Sequence, residues 1–325
     1  MGYDNLTERT NAAATISQDV QKEIIQAVVT ESVVMRLGRR LRNMRAQEQQ
    51  LRVLDELVTA YVVGATTAAS GDSAIIQTME AFWANVTLYA AKLGVIVPIP
   101  KDVLRDSDYD LASEYLPRIS EALALKFDNL VLHKATGSAP TDWPLGIQPF
   151  CLANTQYVDL SDSSDIYAAV MGVDGVIAKV EANGYAPSGS IGALALKSKV
   201  RALRTTDGLP ILAANPQSPT NYSFDGVPML FPVNGALDAT TALMITGDWN
   251  QLVWSMRQEV EIERLTEATI IDDSKNVVLA LAQQDCIALK ATMRLGWALP
   301  NPPNRIKTGK ISAPDGRYPF AILKP

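Results

Sequence analysis

Residues 89–111 read YAAKLGVIVPIPKDVLRDSDYDL, and this stretch decides the fold. Its first half is β-prone. Val95, Ile96 and Val97 make a strand that stops at Pro98 and Pro100, since proline has no backbone N–H to give a ladder. Its second half carries Asp106, Ser107, Asp108 and Asp110, residue types that cap a helix N-terminus and suit its dipole. Beyond it Leu111, Tyr115, Ile119, Leu123, Phe127 and Leu130/Val131 recur every three to four residues. That spacing predicts one long amphipathic helix over residues 101–136, closed by Gly137. Pro117 is expected to kink the helix or to begin its continuous part.

Upstream, residues 53–100 read as a long two-stranded excursion. Residues 58–63 alternate faces, GATTAASGDSA (64–74) is a small polar tip, and the chain returns through Trp83, Val86 and Leu88. Such a hairpin cannot bury itself and is expected to lie on another surface. Before it runs a series of arginines: Arg36, Arg39, Arg40, Arg42, Arg45 and Arg52. They read as a solvated face or as intersubunit partners for carboxylates, because the guanidinium fork favours interfaces. Residues 1–16 read as a polar arm, followed by a short helix capped by Ser17 and striped by Val20, Ile24, Ala27 and Val28.

Downstream lies a compositionally distinct middle. Residues 166–183 read as one amphipathic helix with a Gly184 C-cap, GALAL (192–196) as a strand and 197–203 as a short helix. PILAANP (210–216), FDGVPMLFP (224–232) and TALMITGD (241–248) read as short strands cut by Gly and Pro, giving an α/β or α+β subdomain. Residues 243–300 are β-rich and end in the long alternating run IALKATMRLGWAL (287–299). The proline-rich residues 301–325 are expected to drape over a surface as an extended tail.

Composition narrows the function. The 325 residues hold 29 Lys+Arg against 35 Asp+Glu, a net charge of −6, with 47% hydrophobic residues, which excludes wholesale disorder. A pI near 5.0 argues against a dedicated nucleic-acid binder. Cys151 and Cys286 read as two buried thiols in a reducing cytoplasm. With His133 the only histidine, no usual zinc ligand set exists. No secretory signal appears and no apolar run reaches the roughly 18–20 residues that cross a bilayer, so the chain is expected to be soluble and cytoplasmic when made, with no membrane partner.

The usual catalytic signatures are absent: no phosphate-binding loop, no dinucleotide fingerprint, no nucleophile elbow and no metalloprotease helix. His133 reads as structural or solvent-facing. Glu259, Glu261 and Glu263 alternate with Val260 and Ile262, so all three share one face of a strand. That face reads as wet or as meeting a neighbour's basic residues; a cation site or a glycosidase-like acid pair is the sharper alternative. Asp272 and Asp273, followed by SKN, read as a hairpin turn. Trp83, Trp143, Trp249, Trp254 and Trp297 are scattered and read as core or interface anchors.

The order of these parts resembles the major capsid protein of tailed bacteriophages, with the Hong Kong 97 type fold. ESVVMRLGRRLRNM (31–44) looks like the segment joining an N-terminal arm to an extended loop. YAAKLGVIVPIPKDVLRDSDYDL looks like that loop's return and the entry to a spine helix. LVLHKATGSAPTDWPLGI (130–147) looks like the end of the spine, and DCIALKATMRLGWALPNPPN (285–304) like the long strand and its exit. The resemblance implies an α+β shell subunit, not an enzyme, with no cofactor and no metal. Residues 1–35 would be the arm and 51–98 the extended loop. Residues 36–50, 99–150 and 243–305 would form a peripheral domain with its spine at 108–136. Residues 151–242 would form an axial domain and 306–325 a tail.

The resemblance further implies that the chain partners itself, in pentamers and hexamers of an icosahedral virion capsid assembled in the host bacterial cytoplasm. That shell would enclose double-stranded DNA without reading its sequence. A separate scaffolding protein, a portal and decoration proteins are the implied partners, because the chain begins too close to the arm for a fused scaffold region. The intersubunit contacts would fall on Arg36, Arg39, Arg40, Arg42, Arg45, Glu259, Glu261, Glu263 and Trp83. Some members of this family weld their subunits through a loop lysine; no lysine lies between Lys22 and Lys92, so a shell without crosslinks is expected. Two rival readings are an encapsulin-like nanocompartment shell, which gene neighbours would reveal, and a soluble hydrolase using the acidic strand face.

Overall fold

The structure is a computed structural model. It describes residues 32–60, 78, 82–102, 111–161, 165–202, 222–272, 274–306 and 317–325. The readings of the arm, the Ser17 helix, the 64–74 tip, the caps at Asp106–Asp110 and the strand at 210–216 lie outside these residues.

Two sheets and one long helix organise the chain. The first sheet has four strands in the order β1 (Arg39–Arg40), β10 (Val253–Leu265), β13 (Cys286–Ala298) and β4 (Ala91–Pro100). β13 is its middle, antiparallel to β10 from Val253↔Ala298 to Leu265↔Ala288 and to β4 from Cys286↔Pro100 to Leu295↔Ala91. The alternation in its sequence is the cause. Ala291, Met293, Leu295 and Trp297 are buried on one face, while Lys290 and Arg294 remain half-buried on the other.

The spine helix, Leu111–His133, spans 23 residues, about 35 Å at 1.5 Å per residue. Ile119, Leu123, Ala124, Phe127, Leu130 and Val131 fall on one stripe and share a core with Leu93 of β4, Ala291, Met293 and Leu295 of β13, and Met256, Val260 and Ile262 of β10. Pro117 neither ends nor begins the helix. It lies in the second turn with its side chain exposed, so only one backbone hydrogen bond is forgone. At the far end Phe127 meets Trp143 edge-to-face at 6.1 Å, and Trp143 Nε1 donates to the Tyr89 carbonyl at 2.9 Å.

The excursion at 53–100 is not one hairpin. β2 (Glu48–Leu54) pairs with β3 (Trp83–Tyr89), from Glu48↔Tyr89 to Leu54↔Trp83, and residues 58–60 form no strand. At Ala90 the chain turns into β4 and joins the body sheet. That crossing rests directly on β13: any side chain at Gly296 would run into the Tyr89 carbonyl. β11 (Thr269–Ile271) and β12 (Val277–Ala280) form the hairpin expected around Asp272, whose carboxylate accepts from the Asn276 N–H at 2.8 Å.

The second sheet has six strands, ordered β5 (Tyr157–Asp159), β14 (Phe320–Lys324), β9 (Met244–Gly247), β6 (Gly189–Gly192), β8 (Val227–Leu230) and β7 (Tyr222–Phe224). It corrects the middle region twice. The helix expected over 166–183 is two helices, Ile166–Met171 and Val176–Ala182. They break because the chain closes at Gly172 onto the Ala168 carbonyl, leaving no room for a Cβ. The strand expected at 192–196 is Gly189–Gly192, and a helix follows at Leu194–Arg201.

The tail is the larger correction. Residues 320–324 do not drape over a surface but form a strand between β5 and β9, with Phe320, Ala321, Ile322 and Leu323 fully buried. Phe320 and Ile322 enter the spine-helix core; Ala321 and Leu323 enter a second core with Val176, Val180, Leu196 and Met244. A strand buried on both faces reads as an unbroken apolar run, and FAIL is one. β14 is therefore the partition between two cores. Removing residues 317–325 is expected to abolish cooperative unfolding, and Phe320→Ala to cost about 3–5 kcal/mol in urea titrations.

Candidate intersubunit surfaces

The exposed arginines depend on a buried carboxylate. Ser32 caps the short helix Val33–Leu37 by accepting from the Met35 N–H at 3.1 Å. Its hydroxyl donates to Asp128 of the spine helix at 2.6 Å. Asp128 also accepts from the N–H groups of Val33 at 3.0 Å and Val34 at 3.3 Å, and from Asn234 Nδ2 at 3.4 Å. A carboxylate from one helix thus serves the free N–H groups that open another. Burial pushes the Asp128 carboxyl up to about 6, against the pull of its four donors.

From there the chain runs beside β10. β1 pairs in parallel with Val253 and Trp254, Leu41 N donates to the Trp254 carbonyl at 2.8 Å, and Met44 N to that of Met256 at 2.7 Å. Met44 is buried, so Arg36, Arg39, Arg40, Arg42 and Arg45 all face solvent. Arg40 lies over the Trp254 ring at 5.5 Å, a cation–π contact. The other four make no ion pair among the described residues. Arg52, on β2, is exposed as well.

The glutamate ladder occupies the other end of the same strand. Glu259, Glu261 and Glu263 are exposed, while Val260 and Ile262 between them are buried. Trp254 faces Trp297 and Glu261 faces Thr292, five residues along β13 because β10 bulges twice between them, so the two charged groups stand about 17 Å apart and do not meet within one chain. The ladder lies on an open face. Glu263 accepts from Lys290 Nζ at 2.6 Å, which holds its carboxyl below the usual range and leaves it ionised near neutral pH, with no proton to donate as a general acid. Glu261 accepts from Gln258. The sequence reading missed Lys290, although the alternation in IALKATMRLGWAL already put Lys290 and Arg294 on one face.

The tryptophans divide sharply. Trp143, Trp249, Trp254 and Trp297 are at most 3% exposed, whereas Trp83, at the outer end of β3, is 68% exposed beside the exposed Phe82. His133 is structural: its ring nitrogens lie 2.8 Å from Gln148 Oε1 and 3.0 Å from the Ala236 carbonyl. Cys151 and Cys286 are free, buried thiols. Among the described residues no three His, Cys, Asp or Glu side chains gather as a metal site.

Charged strips and an exposed aromatic hairpin, carried on a well-packed body, describe a protein built to contact others. The family model for the phage capsid family matches residues 12–311. The chain belongs to the phage capsid family. Among its relatives is the major capsid protein of Staphylococcus phage 80alpha, 25% identical over 295 residues that cover 90% of this chain and 84% of the relative. A solved chain from Microbacterium phage Oxtober96 has the same fold, with a TM-score of 0.73 at 24% identity and 91% of each chain covered. A more distant fold match is the capsid of the native GTA particle, with a TM-score of 0.56 at 17% identity over 99% of this chain and 94% of the other.

For this capsid-family chain, Asp128 makes the anchorage of the arginine segment depend on pH. A carboxyl raised in the folded state gives its full stability below the unfolded pKa and loses it as pH rises through the folded one. Relative to Asp128→Asn, stability should therefore be highest below about pH 4 and fall by on the order of 3 kcal/mol as pH rises through 6. Urea midpoints between pH 4 and 7 test this; a constant difference between the two proteins would show that Asp128 stays ionised throughout.

Proposed function

We propose that this chain is the major capsid protein of a tailed phage, with the Hong Kong 97 type fold. It assembles with itself into pentamers and hexamers of an icosahedral shell around double-stranded DNA, in the host cytoplasm. The observation that carries this reading is the β2–β3 hairpin. Its inner half rests on the chain's own body, where Leu51, Val86 and Leu88 pack with Val253 and Ala298, but its outer end carries the exposed Phe82 and Trp83, and a projecting pair of strands is marginal without a surface to lie on. A neighbouring subunit supplies that surface.

The remaining assignments follow the same logic. Residues 1–35 are the arm, 51–90 the extended loop, 36–50 with 91–150 and 243–305 the peripheral domain, and 151–242 the axial domain; β4 goes with the peripheral domain because it pairs with β13. Met244–Gly247 and Phe320–Lys324 join the axial sheet by their pairing. Arg36, Arg39, Arg40, Arg42 and Arg45 meet carboxylates of one neighbour, and Glu259 and Glu261 meet cations of another. The net charge of −6 suits a wall to which packed DNA does not adhere. A portal and decoration proteins are the further partners this reading implies. No subunit is welded to another, since no lysine lies between Lys22 and Lys92.

Negative-stain microscopy after a sizing column, with neighbouring phage genes co-expressed, should give closed uniform particles or capsomer rings. On denaturing gels those particles should run as a single monomer band; a covalent ladder would refute the uncrosslinked shell. Trp83→Ala should lower particle yield about 30-fold or more, as expected for an interface anchor worth at least about 2 kcal/mol, with the melting of the unassembled chain unchanged.

A further inference from the structure

A cavity of about 580 Å³ opens at the root of the hairpin, between it and the body. Its size lies in the roughly 300–1,000 Å³ range of sites that take a ligand. Its walls bring together Lys92 of β4, Lys126 of the spine helix, Arg257 of β10 and Arg294 of β13, with Asp142 as the single carboxylate. Four cations against one anion leave an excess of three positive charges. Among the described residues none of the four cations makes a direct ion pair, although Lys92 lies near enough to Glu263 to favour its ionised form, and Arg294 Nε is a buried donor with no hydrogen-bond partner. An unsatisfied buried guanidinium donor costs stability unless something fills it. Four cations drawn from four elements of the fold mark a place for an anion with more than one charge.

We propose that this cavity receives the acidic strand face, Glu259 and Glu261, of a second copy of the chain. The inference rests on the shell reading above and names the partner of one of its surfaces. The two glutamates are exposed and have no cation among the described residues, whereas Glu263 is already held by Lys290. They stand two residues apart, both exposed, where β10 bulges between Gln258 and Glu261. In the receiving copy Arg294 and Lys92 face each other across the β13–β4 register, a matching pair of positive charges. The guanidinium fork of Arg294 suits a carboxylate in particular.

Position gives the contact a consequence. Gln47 and Ala90, joined by the Ala90 N–H to the Gln47 carbonyl at 2.8 Å, both line the cavity and form the root of the hairpin. Carboxylates seated there bridge root and body, so docking of one neighbour sets the angle at which the hairpin reaches the next.

The test is a charge exchange in the full chain. Lys92 and Lys126 are exposed, and the attraction of Lys92 for Glu263 is a weak surface one, so Lys92→Glu with Lys126→Glu should change the melting temperature of the unassembled chain little while lowering shell yield about tenfold or more. Adding Glu259→Lys with Glu261→Lys to the same chain should restore yield to within about threefold. An unchanged yield in the lysine variant overturns the proposal, as does a loss that the reciprocal change leaves unrepaired. Normal shells that lose only retained DNA also overturn it, since the occupant would then be phosphate. Wild-type shells formed in parallel separate this proposal from the capsid reading, which stands or falls on them alone.

Discussion

The arginine segment of this protein is hung from Asp128. A carboxylate with no solvent access, inside the longest helix, collects the Ser32 hydroxyl, two helix-opening N–H groups and the Asn234 amide. Ser32 leads into the arginine segment, and Asn234 lies in the connection between two strands of the six-stranded sheet. One buried charge therefore ties two parts of the chain to the spine. The arrangement is costly, because an ionised carboxylate is poorly solvated there, and it persists because every donor around it would otherwise be orphaned.

The surface is organised differently from the interior. Positive charge gathers at one end of β10 and negative charge at the other, about 17 Å apart along a twice-bulged strand. A single chain does not pair the two ends with each other, and in the proposed shell each would meet a different surface of a neighbouring copy. Exposed ion pairs are individually modest. Repeated around a closed assembly they act together, and the apparent affinity grows without any contact being strong. The exposed Trp83 adds an apolar anchor where charge alone would be screened by salt.

How much of this was legible in the sequence depended on range. The spine helix was readable because its signal is local, an apolar residue every three to four positions from Ile119 to Val131. The β13 strand was readable for the same reason. The break at Gly172–Gly175 was missed because the helical period of Val170 and Val176–Val180 continues across it; only the two glycines betray the turn. The partner of β4 was missed because pairing is long-range: Val95 faces Ala291, nearly two hundred positions away, and no pattern in either strand names the other. The final strand was misread because its prolines drew attention from FAIL, whose unbroken apolar run is the mark of burial on both faces. At the surfaces the arginines and glutamates were visible from spacing. The basic cavity was not, since its four cations come from four separate elements and converge only in the fold.

The position of β14 also orders events in time. Its neighbours, Tyr157–Asp159 and Met244–Gly247, are made first, and between Gly247 and Phe320 the ribosome must add the whole of β10 to β13. At about 5–20 residues per second, that interval is roughly 4–15 s. Throughout it the six-stranded sheet has a gap where its partition belongs, with two unpaired edges and two cores open to one another. Such edges invite pairing with other chains. A growing polypeptide tethered among others on the same message is thus at its most adhesive before it has the shape its partners recognise. Whatever shields those edges during synthesis governs how many subunits survive to be built into anything.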